Sequence, residues 1–211
     1  MVIRIAQLLI LSAIVVSTAS GQVQLGLQTG ASFVNLVAHS DYSLNFQYKP
    51  VFGFSIGGIC NVPLLEWLSL QAEPRYIQKR SKTEPDIRGG GFDETTDYLE
   101  LPILIKGEFS KSVIRPFFLF GPRVSMLLSS LMKVSDPPSP SYQLDTKWIY
   151  HRFDFGLDFG GGAEYYITPG FSVSPSVRYS FGVLNISASY YTLYARGFQF
   201  YLDLLVRLAD D

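Results

Sequence analysis

Cysteine and charge are both scarce in this chain of 211 residues. Its single cysteine, Cys60, excludes an intrachain disulfide and leaves no partner for a CxxC motif or a zinc cluster, so we interpret it as a small apolar filler. Charged residues make up only 17% of the chain, against roughly 25% in an average soluble domain. This deficit indicates a surface that faces lipid. The net charge of −1 and the lack of any Lys/Arg-rich run argue against a nucleic-acid partner.

Long apolar runs are also lacking, apart from one at the N-terminus. Arg4 is followed by the almost wholly apolar segment 5–16 and by small residues up to Gly21, the pattern of a cleaved export signal. About 12 apolar residues are too few for a spanning helix, which needs roughly 20. We therefore predict a signal peptide over residues 1–21 and one domain over residues 22–211. An exported apolar chain without spanning helices is either soluble or a closed barrel.

The pattern that is present has a period of two, as in a β-strand with unlike faces. It is clear in the segment 98–109, where Leu99, Leu101 and Ile103 alternate with Glu100 and other polar positions. The same alternation predicts eight strands, at residues 22–37, 51–62, 67–79, 98–109, 114–128, 152–165, 171–181 and 198–207.

The connections between these segments alternate between long and short, with long polar loops at 81–94 and 131–147. This asymmetry is typical of membrane barrels. We therefore predict an all-β fold, an eight-stranded antiparallel up-and-down transmembrane β-barrel in the cell outer membrane, with outer-membrane lipid around its apolar face. Aromatic residues near strand ends, among them Trp148 and Tyr150, are expected in the headgroup region. A soluble lipocalin-like barrel is the rival fold, but eight inner faces so rich in Phe and Leu would overfill its cavity.

Five prolines fall inside the predicted strands, where a closed barrel offers no free edge for a missing N–H. We expect bulges or strand ends at these positions. They are Pro74, Pro102, Pro116, Pro122 and Pro175.

The polar parity carries nearly balanced charge, and an eight-stranded barrel has room for side chains and little else. We therefore predict a salt-bridged, non-conducting lumen, because an unpaired buried ion costs several kcal/mol. The predicted network consists of Glu73, Arg75, Glu100, Lys106, Glu108, Arg115, Arg123, Arg152, Asp154, Asp158, Glu164, Arg178, Asp203 and Arg207, with Lys79 on the same parity. A narrow gated pore for ions or small solutes is the alternative.

Histidine, the commonest acid–base residue, occurs only at His39 and His151. His39 lies beside Asp41, and His151 has the parity of the lipid-facing residues, with no serine two positions away. A lipid-modifying enzyme remains an alternative, but we predict a protein that is not an enzyme and has no catalytic residues. We predict no metal site and no cofactor. Asp154 and Asp158 share a face, but Arg152 is a simpler partner for them than a metal ion.

Three motifs give the chain a family resemblance. They are Tyr98-Leu99-Glu100-Leu101-Pro102-Ile103-Leu104-Ile105-Lys106, Arg115-Pro116-Phe117-Phe118 and Gly160-Gly161-Gly162-Ala163-Glu164-Tyr165. Together with the export signal they resemble the PorT-like outer-membrane β-barrel family. The resemblance implies an eight-stranded barrel in a Gram-negative outer membrane and, for some members, a link to secretion machinery. It offers no catalytic residues. The long loops are where a protein partner or secretion-machinery component would bind.

Overall fold

A single closed sheet accounts for the fold. The computed structural model describes residues 23–39, 48–83, 90–135, 138–188 and 192–208; the predicted signal peptide lies outside them. The strands are β1 (Gln24–His39), β2 (Tyr48–Val51), β3 (Gly53–Leu65), β4 (Leu68–Ala72), β5 (Arg75–Thr83), β6 (Gly91–Glu108), β7 (Ile114–Ser135), β8 (Tyr142–Asp145), β9 (Phe153–Thr168), β10 (Phe171–Gly182) and β11 (Thr192–Arg207). Every strand pairing is antiparallel.

Closure follows from the pairing of the first and last strands. β1 pairs with β11 over its whole length, from Gln24 opposite Arg207 to His39 opposite Thr192, and pairs with β3 on its other side. We call each full-length strand of the barrel wall a stave. β2 and β3 together form one interrupted stave, and β4 and β5 together form another. The described strands therefore make eight staves around the barrel. The predicted fold class is confirmed. No helix in the described residues is long and apolar enough to span a membrane.

The two parities of each strand separate as the alternation predicts. In β6, Leu99, Leu101 and Ile105 are each at least 44% exposed, whereas Glu100 and Lys106 are each 1% exposed. The apolar parity therefore covers the outside of the barrel and the polar parity lines its lumen. This arrangement is the reverse of a lipocalin-like barrel, in which the apolar parity would point inward.

The short connections between neighbouring staves lie at one end of the barrel, which we call the turn end. They join β3 to β4, β6 to β7 and β9 to β10, and the first and last described strands begin and end there too. The longer connections lie at the opposite end, the loop end.

The strands extend further toward the loop end than the sequence indicated. The predicted loop 81–94 is largely a β5–β6 hairpin, in which Ser81 pairs with Glu94, and the predicted loop 131–147 contains the end of β7 paired with β8. The reason is that the alternation continues in polar residues. Glu94 and Thr96 are buried on the inner face, while Arg80 lies 3.4 Å from Asp93 on the outer face.

Bulges explain fewer of the prolines than expected. Pro74 does lie at a strand end, between β4 and β5, and its carbonyl accepts a hydrogen bond from the Gly58 N–H at 2.9 Å. The expectation is wrong for Pro102, Pro116, Pro122 and Pro175, across which the register does not shift. Each of these prolines lacks a single N–H, and the carbonyls of Pro102 and Pro116 still accept hydrogen bonds from neighbouring strands. The Phe109 N–H, for example, donates to the Pro116 carbonyl at 3.0 Å.

Candidate functional site

The centre of the lumen holds two arginines and two acidic residues that connect staves on different sides of the barrel. Arg75 Nη2 lies 2.9 Å from Glu100 Oε2 and 3.0 Å from Asp158 Oδ2. Arg123 Nη1 lies 2.8 Å from Glu100 Oε1, and its Nε lies 3.2 Å from Asp158 Oδ1. All four side chains are fully buried. They form a ring of alternating charges, which we call the central cluster.

A third buried arginine extends this cluster across the lumen. Arg178 bonds to Glu73, which also lies 3.2 Å from Arg75 Nη1. Arg178 Nη2 lies 3.8 Å from Asp203 Oδ2, and Gln28 donates a hydrogen bond to the other Asp203 oxygen at 3.0 Å. The Arg75 and Arg178 guanidinium groups also lie 4.9 and 4.7 Å from the Tyr201 ring centroid. Ion pairs and ring contacts thus share the same buried cations.

Toward the loop end, a lysine completes the cluster. Lys79 Nζ lies 2.7 Å from Glu100 Oε1 and 4.4 Å from the centre of the Tyr98 ring. Asp154 Oδ2 lies 3.2 Å from Arg123 Nη1. Glu100 therefore contacts three cations, more than any other acidic residue in the described part of the chain.

Toward the turn end, Lys106 bonds to Glu164 and lies 3.2 Å from Glu108. Glu164 also accepts hydrogen bonds from Ser172 at 2.6 Å and from Gln24 at 3.2 Å. This second cluster separates the central one from the mouth of the barrel. Among the described residues, five buried cations (Arg75, Lys79, Lys106, Arg123 and Arg178) face seven buried acidic residues on the inner surface (Glu73, Glu94, Glu100, Asp154, Asp158, Glu164 and Asp203).

The structure brings together most of the residues predicted for the lumen. Glu108, Arg115 and Arg207 lie at the mouth of the turn end, where they are partly exposed. The structure does not place Arg152 in the lumen, contrary to the prediction. β9 begins only at Phe153, so the strand alternation does not reach Arg152, which is exposed in the preceding loop with its guanidinium 5.8 Å from the Phe153 ring centroid.

An apolar layer above the central cluster was not predicted. Its buried members are Val34, Ile77, Tyr98, Leu127, Tyr150, Ile186, Leu193 and Ala195. Two of them come from loops that fold into the barrel, where Tyr150 and Ser187 form a bridge and the His151 N–H donates to the Ile186 carbonyl at 2.8 Å. The alternation along the strands predicts that Ile77 and Tyr98 point inward. It gives no such prediction for residues in loops. Tyr150, expected in the headgroup region, is instead 7% exposed and donates its hydroxyl to Glu94.

Glycines opposite the arginines make room for them in the lumen. A Cβ on Gly156 would overlap Arg123 Nη2, and one on Gly160 would lie 3.0 Å from Arg178 Cγ. Glycine at these positions therefore accommodates bulky neighbours, which explains part of the run 160–162.

We expect Gly156→Ala to lower the free energy of unfolding by about 1–3 kcal/mol, because the added methyl group displaces the Arg123 side chain from its carboxylates. Urea unfolding in lipid vesicles measures the change. Gly170→Ala is the matched control, since nothing lies within 4 Å of a Cβ there. An equal effect of both substitutions would contradict the packing role of Gly156.

A cavity of about 690 Å³ opens at the turn end. Its floor and walls include Gln24, Asn61, Ser69, Arg115 and Arg207, and its rim includes the turn between β3 and β4. Glu66 in that turn accepts a hydrogen bond from Lys111 of the next turn, which holds the pKa of the Glu66 carboxyl below its usual value. We call this space the turn-end cavity.

The histidines form no catalytic arrangement in the described residues. His151 is exposed at the loop end of β9, and the side chain of His39 and all of Asp41 lie outside the residues described. Across the same part of the chain, no group of three His, Cys, Asp or Glu residues is arranged to hold a metal ion.

Comparison with known proteins agrees with this architecture. Residues 11–188 match the family model described as outer membrane protein beta-barrel domain. No curated protein matches the chain significantly.

Solved barrels share the fold at low sequence identity. OprG from Pseudomonas aeruginosa is 9% identical, with a TM-score of 0.57 over 91% of this chain and 98% of its own. A major outer membrane protein from Thermus thermophilus is 12% identical, with a TM-score of 0.52 over 88% and 99%. Neisserial surface protein A is 14% identical, with a TM-score of 0.51 over 88% and 97%. The family match covers most of the sequence, and the ring of eight staves with an apolar exterior is the same architecture: the chain belongs to the outer membrane protein beta-barrel domain family and is an outer-membrane protein.

Proposed function

We propose that this outer-membrane barrel is a closed, non-conducting scaffold that offers its loop-end hairpins to protein partners. The observation that carries the proposal is the filling of the lumen by paired charges. Arg75, Arg123 and Arg178 are each fully buried, and each lies within 4 Å of at least two carboxylates. A permeating ion would have to separate these pairs, which leaves uncompensated charges in a low-dielectric interior.

The apolar layer adds a second barrier in series. Ile77, Leu127 and Ile186 belong to one buried apolar cluster above the central cluster. Apolar constrictions oppose conduction because water leaves them readily. A narrow gated pore would require both barriers to open at once, so the closed scaffold is the simpler function.

The hairpins of the loop end support the role as an interaction platform. Above Leu99 the outer face of β6 changes from apolar to polar, and Asp97 accepts hydrogen bonds from Ser129 and Gln78 at 2.6 and 3.3 Å. β7 is 22 residues long, about twice the length needed to cross a membrane. The β5–β6 and β7–β8 hairpins therefore project beyond the lipid into the surrounding water, where partners bind.

The PorT-like resemblance remains part of this proposal. The Leu-Pro-Ile-Leu-Ile motif and the Gly160–Gly162 run support that branch of the barrel family, with a secretion-machinery component as a candidate partner. A lipid-modifying enzyme is the weaker alternative, because the exposed His151 has no serine or carboxylate hydrogen bond in the described residues.

We expect the purified barrel to produce no stable conductance steps above background in planar bilayers. A conducting porin inserted by the same route is the positive control, and heat-modifiable gel mobility verifies that the inserted protein is folded. Reproducible steps from the folded protein, absent from protein-free membranes, would replace the closed scaffold with the gated pore.

A further inference from the structure

The turn-end cavity has the size of a ligand site and contains polar atoms without partners. Its volume of about 690 Å³ falls within the roughly 300–1,000 Å³ of small-molecule sites. Among the described residues, Asn61 Oδ1 and Ser69 Oγ are buried in its lining and make no hydrogen bond. Buried polar atoms are nearly always hydrogen-bonded. Two such atoms on residues that line one cavity are consistent with a bound molecule that supplies the missing groups.

The orientation of Asn61 is fixed by its neighbours. The Glu164 carboxylate only accepts hydrogen bonds, so Gln24 must present its NH₂ group to Glu164, at 3.2 Å. Gln24 then presents its oxygen to Asn61, which donates to it at 2.7 Å. The remaining atom of Asn61 is thus an acceptor without a partner, on a residue that lines the cavity.

The walls of the cavity supply positive charge. Arg207 has no carboxylate within 4 Å in the described residues; its Nη2 donates only to the Tyr166 hydroxyl, at 3.4 Å. Arg115 shares Glu108 with Lys106, at 3.4 Å. Both guanidinium groups lie beside the Tyr166 ring, at 4.2 and 5.4 Å from its centre. This arrangement leaves Arg207 available to an anionic group.

The spacing of these groups indicates the length of the ligand. Arg207, Gln24 and Asn61 are directly opposite one another on the neighbouring strands β11, β1 and β3. Adjacent strands are about 4.8 Å apart, which separates Arg207 from Asn61 by about 10 Å. Two to three peptide residues cover about 7–10 Å.

We infer that the turn-end cavity binds the end of a peptide through its free carboxylate. The carboxylate pairs with Arg207, and Arg115 adds a second guanidinium group near it. The backbone N–H of the residue before the C-terminal one donates to Asn61 Oδ1, and Ser69 completes the floor. The turn end of such barrels faces the periplasm, where such a carboxylate belongs either to a protein C-terminus or to a cell-wall peptide. This inference does not depend on whether the lumen conducts.

Trp67 on the cavity rim provides the measurement. It is one of two tryptophans, and Trp148 lies at the loop end. In the folded barrel carrying Trp148→Phe, titration with N-acetyl-L-alanyl-L-alanine is expected to change the Trp67 fluorescence saturably. The matching C-terminal amide, which lacks the carboxylate, is expected to bind at least about tenfold more weakly. The D,D-peptide, as the second arm, distinguishes the sources: preference for it indicates cell-wall peptides, and preference for the L,L-peptide indicates protein C-termini.

Variants test the assigned contacts. Arg207→Gln and Asn61→Leu are each expected to weaken binding of the acid about tenfold or more, and Arg207→Gln is expected to abolish the preference for acid over amide. Arg152→Gln, which removes an exposed arginine at the other end, is the control and is expected to bind normally. Heat-modifiable mobility identifies the folded variants.

The inference would be overturned by equal binding of acid and amide, or by the absence of saturation up to about 10 mM. A tenfold gain in affinity when Asp210 and Asp211 are replaced by asparagine would also overturn it, because the chain's own carboxylates would then be the occupants.

Discussion

Replacing Glu100 by alanine is expected to lower the free energy of unfolding of the barrel by about 3–5 kcal/mol, the range for breaking a buried ion pair by removing one partner. Glu100 lies 2.7–2.9 Å from Lys79, Arg75 and Arg123. Without its carboxylate, Lys79 retains only Asp154, at 4.0 Å. The large effect arises mainly from the buried cations that lose their compensating charge.

A partly exposed pair on the outer face of the same strand provides the control. Asp93 lies 3.4 Å from Arg80, and their side chains are 23% and 33% exposed. We expect Asp93→Ala to change stability by about 0–1 kcal/mol, because solvent screens this pair and hydrates the arginine that remains. Urea unfolding in lipid vesicles compares the two variants. Equal losses would show that Glu100 is no more important than a surface charge, and would remove the principal support for a salt-bridged lumen.

The alternation of residues was sufficient to predict which face of each strand lines the lumen. Glu100 and Lys106 could be assigned to it from the sequence because the period of two depends only on local backbone geometry. Their partners could not be assigned. Arg75 reaches Asp158 across the lumen, and such contacts depend on the stagger of the strands around the barrel, which no single strand encodes.

Two errors have the same physical origin, namely that periodicity gives no information where a strand ends. Arg152 was assigned to the lumen by extending the alternation one residue before the start of β9. Conversely, residues 81–83 and 91–94 were assigned to a loop because their polar composition resembles one, although both sides of the hairpin are paired and Glu94 is buried. Beyond the membrane, a strand needs no apolar residues on its outer face.

The apolar layer is the least predictable part of the interior, because Tyr150 and Ile186 come from loops. Its presence shows that the lumen changes character along the barrel axis, from the polar turn-end cavity through paired charges to an apolar layer at the loop end.

Replacing Ile103 by arginine is expected to lower the free energy of unfolding by about 2–4 kcal/mol, the range for a charge on the lipid face near the bilayer midplane. Ile103 is exposed on the outside of β6, with Leu101 and Ile105 two residues away on either side. A guanidinium group at this position has no carboxylate to pair with on the apolar face, and lipid cannot hydrate it. In a soluble barrel, by contrast, the same exposed position would meet water and the substitution would be nearly neutral.

Leu131→Arg makes a similar change outside the apolar band. Leu131 is also exposed, at 45%, but lies between Thr95 and Asp145 on the projecting part of β7. We expect it to change stability by about 0–1 kcal/mol, because charges near or beyond the membrane interface are hydrated. Urea unfolding in vesicles is again the measurement. A large loss of stability for Ile103→Arg with a small loss for Leu131→Arg would indicate that the lipid-facing apolar band lies around Ile103. Two small losses would mean that the apolar face of β6 does not contact lipid. Both substitutions add the same charge to the outer surface of one continuous sheet, but at different depths and, for Leu131, opposite the carboxylate of Asp145.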